Sequence, residues 1–212
     1  MADKPSKRAI DLIVATEVTS QAYYEKKYRK PEWPGGASGI TIAVGYDLGY
    51  ANEAKIRSDW TGKISDDMVD CLVKYAGLSG EKAHARLAEA RGEIDIPWNV
   101  AYDVFSNIDM PEWCAKVKRA LPNTDKLSED SFGALVSLAY NRGASFSMND
   151  DRHKEMRSIK EHMTNEEFDE IPDEFRSMKR LWPTMRGLIV RREDEAKLFE
   201  DGLKTAFDDR LM

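Results

Sequence analysis

Gly39-Ile40-Thr41-Ile42-Ala43-Val44-Gly45-Tyr46-Asp47-Leu48-Gly49-Tyr50 is the stretch whose reading decides the fold. It is where β-branched residues gather in a chain otherwise patterned for helix. Ile40, Ile42 and Val44 alternate with smaller or polar neighbours, the period-2 mark of a half-buried strand. Glycines at 39, 45 and 49 let the backbone turn tightly or lie close to another segment. Thr41 and Ala43 fall on the face opposite the branched residues. Asp47 follows Gly45, where the strand is expected to end, so its carboxylate is expected to reach open space. The stretch therefore reads as one wall of an active site.

Upstream, residues from about 6 to 20 read as a helix, with Ile10, Ile13 and Val14 forming an apolar stripe. The next member of that stripe is Glu17, a carboxylic acid where the pattern asks for an apolar side chain. It is either a rim residue at the helix end or a functional acid. From Gln21 to Ser38 the chain reads as irregular. Tyr23, Tyr24, Tyr28 and Trp33 lie there among lysines, followed by a Pro34-Gly35-Gly36 corner. Packing beneath the loop is expected for most of these aromatics; Trp33 remains a candidate platform for a polymer.

Downstream the pattern is helical, over 53–59, 65–76, 79–90 with Ser79 as N-cap, and 97–121 with an interruption at Pro111. Ser128 is expected to cap a nearly all-apolar core helix that stops at Asn141-Arg142-Gly143. Short charged helices are expected over 150–163, 164–169 (with Thr164 and Glu167 as a capping box) and 174–179. A last helix is expected over 187–207. Arg191 and Arg192 are expected to form structural ion pairs, with Glu195 as one partner. The reading is α+β but mainly α: one domain over 1–212, with a small β-containing lobe at about 21–60 and a helical lobe making up the rest.

Charged residues are 33% of the 212, and the net charge is −6. That balance argues against broad nucleic-acid binding, which needs a basic face. No apolar run approaches the roughly 20 residues of a membrane span. Ile10 to Val14 is too short, and broken by Asp11, to serve as a secretory signal. Cys71 and Cys114, with histidines at 84, 153 and 162, show no metal-ligand spacing. Neither a metal nor a cofactor is expected.

Glu17, Thr41 and Asp47 form a chemically coherent set: an acid in an apolar setting, a hydroxyl, and an acid in a polar setting. Glycosidic cleavage uses this division. A carboxyl kept from water holds its proton and can give it to a leaving oxygen; an ionised one activates water or stabilises charge at the sugar carbon.

Those residues carry a resemblance. Gly39 to Asp47 is similar to the β-hairpin of phage-type lysozymes, muramidases with a helical core and a small sheet. Ser137-Leu138-Ala139-Tyr140-Asn141-Arg142-Gly143 resembles that family's central helix and its exit. Gly187-Leu188-Ile189-Val190-Arg191-Arg192-Glu193 resembles its C-terminal helix. The resemblance implies that Glu17 is the catalytic acid. Common members place an aspartate about nine residues after the glutamate, and the threonine a few residues later. Position 26 is lysine here. The order Glu17, Thr41, Asp47 resembles instead the pesticin-like branch, where the aspartate follows the threonine, so the second carboxylate is assigned to Asp47, with Glu32 as the rival.

Tyr46, Asn141, Arg142 and Trp33 are the candidate substrate-binding residues. The implied activity is cleavage of the β-1,4 bond between N-acetylmuramic acid and N-acetylglucosamine in peptidoglycan, by an antibacterial effector or endolysin. Such an enzyme, made in the cytoplasm, would act in the periplasm after delivery or membrane permeabilisation. An effector would have an immunity or inhibitor protein as partner. Two alternatives stand beside it: a glycosidase acting on chitin or chitosan, the latter suited to an acidic surface, and a non-catalytic lysozyme-like module binding glycan or protein.

Overall fold

The computed structural model describes residues 4–208. It is mainly helical with one two-stranded antiparallel sheet, the α+β class expected. The chain divides into two compact units, Met1–Thr16 with Pro111–Met212, and Glu17–Met110. In chain order the helices and strands are α1 (Lys7–Val18), α2 (Gln21–Tyr23), β1 (Thr41–Ile42), β2 (Tyr46–Asp47), α3 (Glu53–Trp60), α4 (Asp66–Val73), α5 (Glu81–Glu93), α6 (Trp98–Val104), α7 (Met110–Ala120), α8 (Glu129–Arg142), α9 (Lys154–Asn165), α10 (Ile171–Ser177) and α11 (Arg186–Asp208). None of the described helices is long and apolar enough to cross a membrane.

In the Glu17–Met110 unit, the quoted stretch folds as a hairpin, as the resemblance implies, although its alternation taken alone reads as one strand. Thr41 pairs with Asp47 and Ile42 with Tyr46 across a turn at Ala43-Val44-Gly45. Ala43 and Gly45 turn the chain with φ of 52° and 83°, and the left-handed region costs glycine least. Ile40, Ile42, Val44 and Leu48 are all buried. The turn folds both arms onto the same core, so residues that alternate along one strand all face inward here. Glu32 extends the sheet by exchanging both backbone hydrogen bonds with Thr41, at 2.9 and 2.8 Å.

The segment expected to be irregular is helical at its start. The Ser20 side chain caps α2 by accepting from the Tyr23 amide, and a π turn follows over Tyr24–Tyr28. Trp33 turns back on its own loop, its indole N–H donating to the Ser38 carbonyl at 3.0 Å. Gly35 and Gly36, both at positive φ, make the corner between them. Helix α5 starts after Gly80, at φ 58°, so Gly80 and not Ser79 occupies the cap. The interruption near Pro111 takes the form of a π turn over Phe105–Asp109. A proline ring displaces the carbonyl four residues back, and a widened turn accommodates it.

In the other unit, α8 is buried nearly all round and packs on α11. Ser128 caps it through the Ser131 amide, and Gly143 ends it at φ 81°. Gly133 lets α1 approach: a Cβ there would stand 2.3 Å from that of Ala9. The expected ion pairs form in the core. Glu195 is fully buried, meets Arg191 at 3.2 Å and Arg192 at 2.8 Å, and accepts from the Ser137 hydroxyl at 2.6 Å. The Thr164–Glu167 capping box does not form. Thr164 lies inside α9 with its hydroxyl donating back to the Lys160 carbonyl, and Glu167 pairs with His162.

Candidate active site

A cleft of about 350 Å³ opens within the Glu17–Met110 unit. The end of α1 supplies Glu17 and Val18 on one side, and the hairpin supplies Thr41, Ala43 and Gly45. The π turn and the loop after it supply Lys27, Tyr28, Lys30, Glu32, Trp33 and Pro34. Local chemistry explains each placement. Helix α1 stops at Val18 because Thr19 takes a left-handed φ of 66°, which leaves Glu17 in the last turn, half-buried rather than sealed from water. Thr41 is half-buried at the start of β1. Thr41 lies opposite Glu32 on one side and Asp47 on the other, and antiparallel partners point to the same face; of the two carboxylates, Glu32 lines the cleft with Thr41.

Arg91 orients Glu32. Its Nη2 meets Glu32 Oε1 at 2.6 Å, while its Nε–H donates to the Pro31 carbonyl at 2.9 Å, so one guanidinium ties both the side chain and the preceding backbone to α5. Trp33 stacks on the His84 ring, with centroids 4.3 Å apart and planes at 16°.

Asp47, the carboxylate expected to face Glu17, does not line the cleft. It lies in β2 rather than past the sheet, and it is occupied by backbone: Oδ1 accepts from the Gly49 amide at 2.7 Å and Oδ2 from the Gly39 amide at 3.1 Å. Gly39 is close enough that a Cβ there would stand 2.2 Å from Asp47 Oδ1. Burial pushes the Asp47 carboxyl up from its ordinary range, and the two amides pull the other way. Tyr46, a candidate substrate-binding residue, is a core residue. It is 5% exposed, its hydroxyl donates to Asp59 at 2.8 Å, and its ring meets Trp60 edge-on.

Asn141 and Arg142 belong to the other unit, at the end of α8. Arg142 donates to the Arg152 carbonyl at 2.6 Å and lies over the Trp182 ring at 5.1 Å. Of the residues read from sequence, the cleft therefore gathers Glu17, Glu32, Thr41 and Trp33. It adds Lys27, Tyr28, Lys30 and the supporting Arg91, which the pattern did not single out. The signal for the first three was the crowding of tyrosine and lysine after Ser20. Arg91 left none, because its role depends on a contact 59 residues away in the chain.

Residues 15–136, more than half of the chain, match a family described as a domain of unknown function, DUF8812. The chain belongs to this family. The DUF8812 match covers every residue that lines the cleft, together with Arg91 and Asp47, and ends before Asn141 and Arg142. A comparison with curated proteins returned no match.

Proposed function

We propose that this DUF8812 protein is a glycoside hydrolase acting on peptidoglycan as phage-type lysozymes do, with Glu17 as general acid and Glu32 as second carboxylate. The observation that carries the reading is the shared cleft: Glu17, Glu32 and Thr41 line one cavity with Trp33 in its wall. A glycosidic oxygen seated there would take its proton from Glu17. Glu32, held by Arg91 on one oxygen, would keep the other for water or for charge developing at the anomeric carbon. The Thr41 hydroxyl, on the same face as Glu32, would hold that water or the base in place.

This assignment moves the second carboxylate from Asp47 to Glu32. The order of chemistry then becomes acid, acid, threonine, which resembles the common members of the lysozyme family rather than the pesticin-like branch. The interval from Glu17 to Glu32 is longer than theirs, and the π turn and the Trp33 loop occupy it. An endolysin or a delivered antibacterial effector is the biological role that fits such an activity, the latter with an immunity protein as partner.

Turbidity of outer-membrane-permeabilised bacterial cells tests the reading directly. Wild type is expected to lyse them. General acid–base groups contribute about 10²–10⁴-fold each, so Glu17→Gln and Glu32→Gln are each expected to lose at least about 10²-fold while keeping a wild-type circular dichroism spectrum. Asp47→Asn is expected to stay within a few-fold of wild type. A dead Asp47→Asn beside an active Glu32→Gln would return the role to Asp47. Absence of any wild-type lysis would remove the hydrolase.

A further inference from the structure

The cleft wall carries two lysines as well as its two acids, Glu17 and Glu32. The protein is net −6, yet Lys27 and Lys30, both exposed, line the cavity. The Lys27 ammonium lies 4.9 Å from the Tyr28 ring centre and 5.7 Å from that of Tyr23. The two rings meet edge to face at 5.7 Å, so they form one aromatic shelf. Aromatic faces attract a cation without cancelling its charge, and among the described residues no carboxylate oxygen lies within 4 Å of Lys27. Lys30 sits 3.4 Å from Asp95, a carboxylate that Arg29 already engages at 2.7 Å. Glu32, the acid beside them, is taken by Arg91 at 2.6 Å. What the wall offers a ligand is thus an exposed ammonium positioned by Tyr28 and not ion-paired within 4 Å to any carboxylate among the described residues.

We propose that Lys27, set on Tyr23 and Tyr28 and assisted by Lys30, is a specificity-determining subsite for a carboxylate carried by the glycan. The inference rests on the hydrolase reading and narrows its substrate. Peptidoglycan bears such carboxylates on its stem peptides, and on the muramic lactyl group where the stem has been removed. Chitin offers none, and chitosan is cationic and would be repelled.

Co-sedimentation tests this, using the whole chain with intact sacculi, amidase-stripped glycan strands and chitin, at low and high salt. An exposed ion pair changes affinity by a small factor. Lys27→Gln is expected to weaken binding to sacculi about threefold, and the Lys27→Glu/Lys30→Glu double variant about tenfold. Both losses should shrink at high salt, and the loss on chitin should stay below about twofold. Equal loss on stripped strands assigns the lactyl carboxylate, and loss on intact sacculi alone assigns the stem peptide. Equal losses on sacculi and chitin, or none on either, overturn the subsite. The readout does not require bond cleavage. A wild type that binds in this lysine-dependent way but cuts nothing overturns the hydrolase and keeps the subsite; one that cuts without lysine dependence overturns the subsite alone.

Discussion

At the scale of single residues, Asp47 and Glu32 differ in what their oxygens already bind: two backbone amides for Asp47, one guanidinium for Glu32. A carboxylate that already accepts two backbone amides has little left for a substrate, and removing it should cost stability before activity. Asp47→Ala is expected to lower unfolding free energy by about 1–2 kcal/mol, as the loss of a capping side chain does, measured by urea titration. The sign of its pH dependence follows from burial. The folded carboxyl titrates above its unfolded value, near 3.9 for aspartate, so the folded state holds the proton more tightly. That stabilisation is full below the unfolded value and is lost as pH rises through the folded one. Wild type should therefore lose ground to Asp47→Asn in melting temperature as pH rises from the ordinary aspartate value, near 3.9, through the raised folded one; a constant difference would contradict the burial argument. Cys114 makes a parallel case in the other unit, because burial pushes its thiol up to about 11. Only about a thousandth is thiolate at pH 8, so alkylation of the folded protein there should be at least about 100-fold slower at Cys114 than after denaturation.

At the scale of elements, the hairpin depends on contact distances that no period could report. Gly39 lies against Asp47 and the Gly49 backbone, with a would-be Cβ 2.4 Å from the Gly49 nitrogen. Backbone cannot move aside as a flexible side chain can. Gly39→Ala is expected to cost about 3 kcal/mol, at the upper end of overpacking penalties, and to perturb Thr41 with it; a wild-type melting temperature would show that the hairpin yields. The π turn is the other element that shapes the cleft. It presents Lys27 and Tyr28 to the cavity while Tyr24 stays fully buried, its hydroxyl donating to the Ile96 carbonyl at 2.8 Å. Composition had already marked this segment as aromatic and basic, but not its helical start, because the capping serine was hidden among polar neighbours.

Across the whole molecule, the buried ion pairs and the cleft belong to different units. The larger unit is held by α8, α10 and α11, with Glu195 facing two arginines in its core. Burial lowers the pKa of the Arg192 guanidinium, and nearby Arg191 and Arg142 add to the effect, so the Glu195 carboxylate is the opposing charge that makes the burial tolerable. Glu195→Ala should destabilise by about 3–5 kcal/mol, the usual result of removing one partner from a buried pair, seen in chemical denaturation.

The amino-acid sequence by itself determined the mainly helical class with its small sheet, the core stripes, most helix limits, the Ser128 and Gly143 caps and the Arg191–Arg192–Glu195 pairing. Each follows from periodicity or spacing within a few turns, where neighbours in sequence are neighbours in space. It also brought forward Glu17, Thr41, Trp33 and Glu32. Tertiary structure alone decided that Asp47 accepts two backbone amides, that Tyr46 is buried, that Glu32 lines the cleft with Glu17, and that Arg91 pairs with Glu32. Those outcomes turn on which partner satisfies a buried polar atom, and here the partner lies either in a hairpin turn read as strand or on a helix far along the chain.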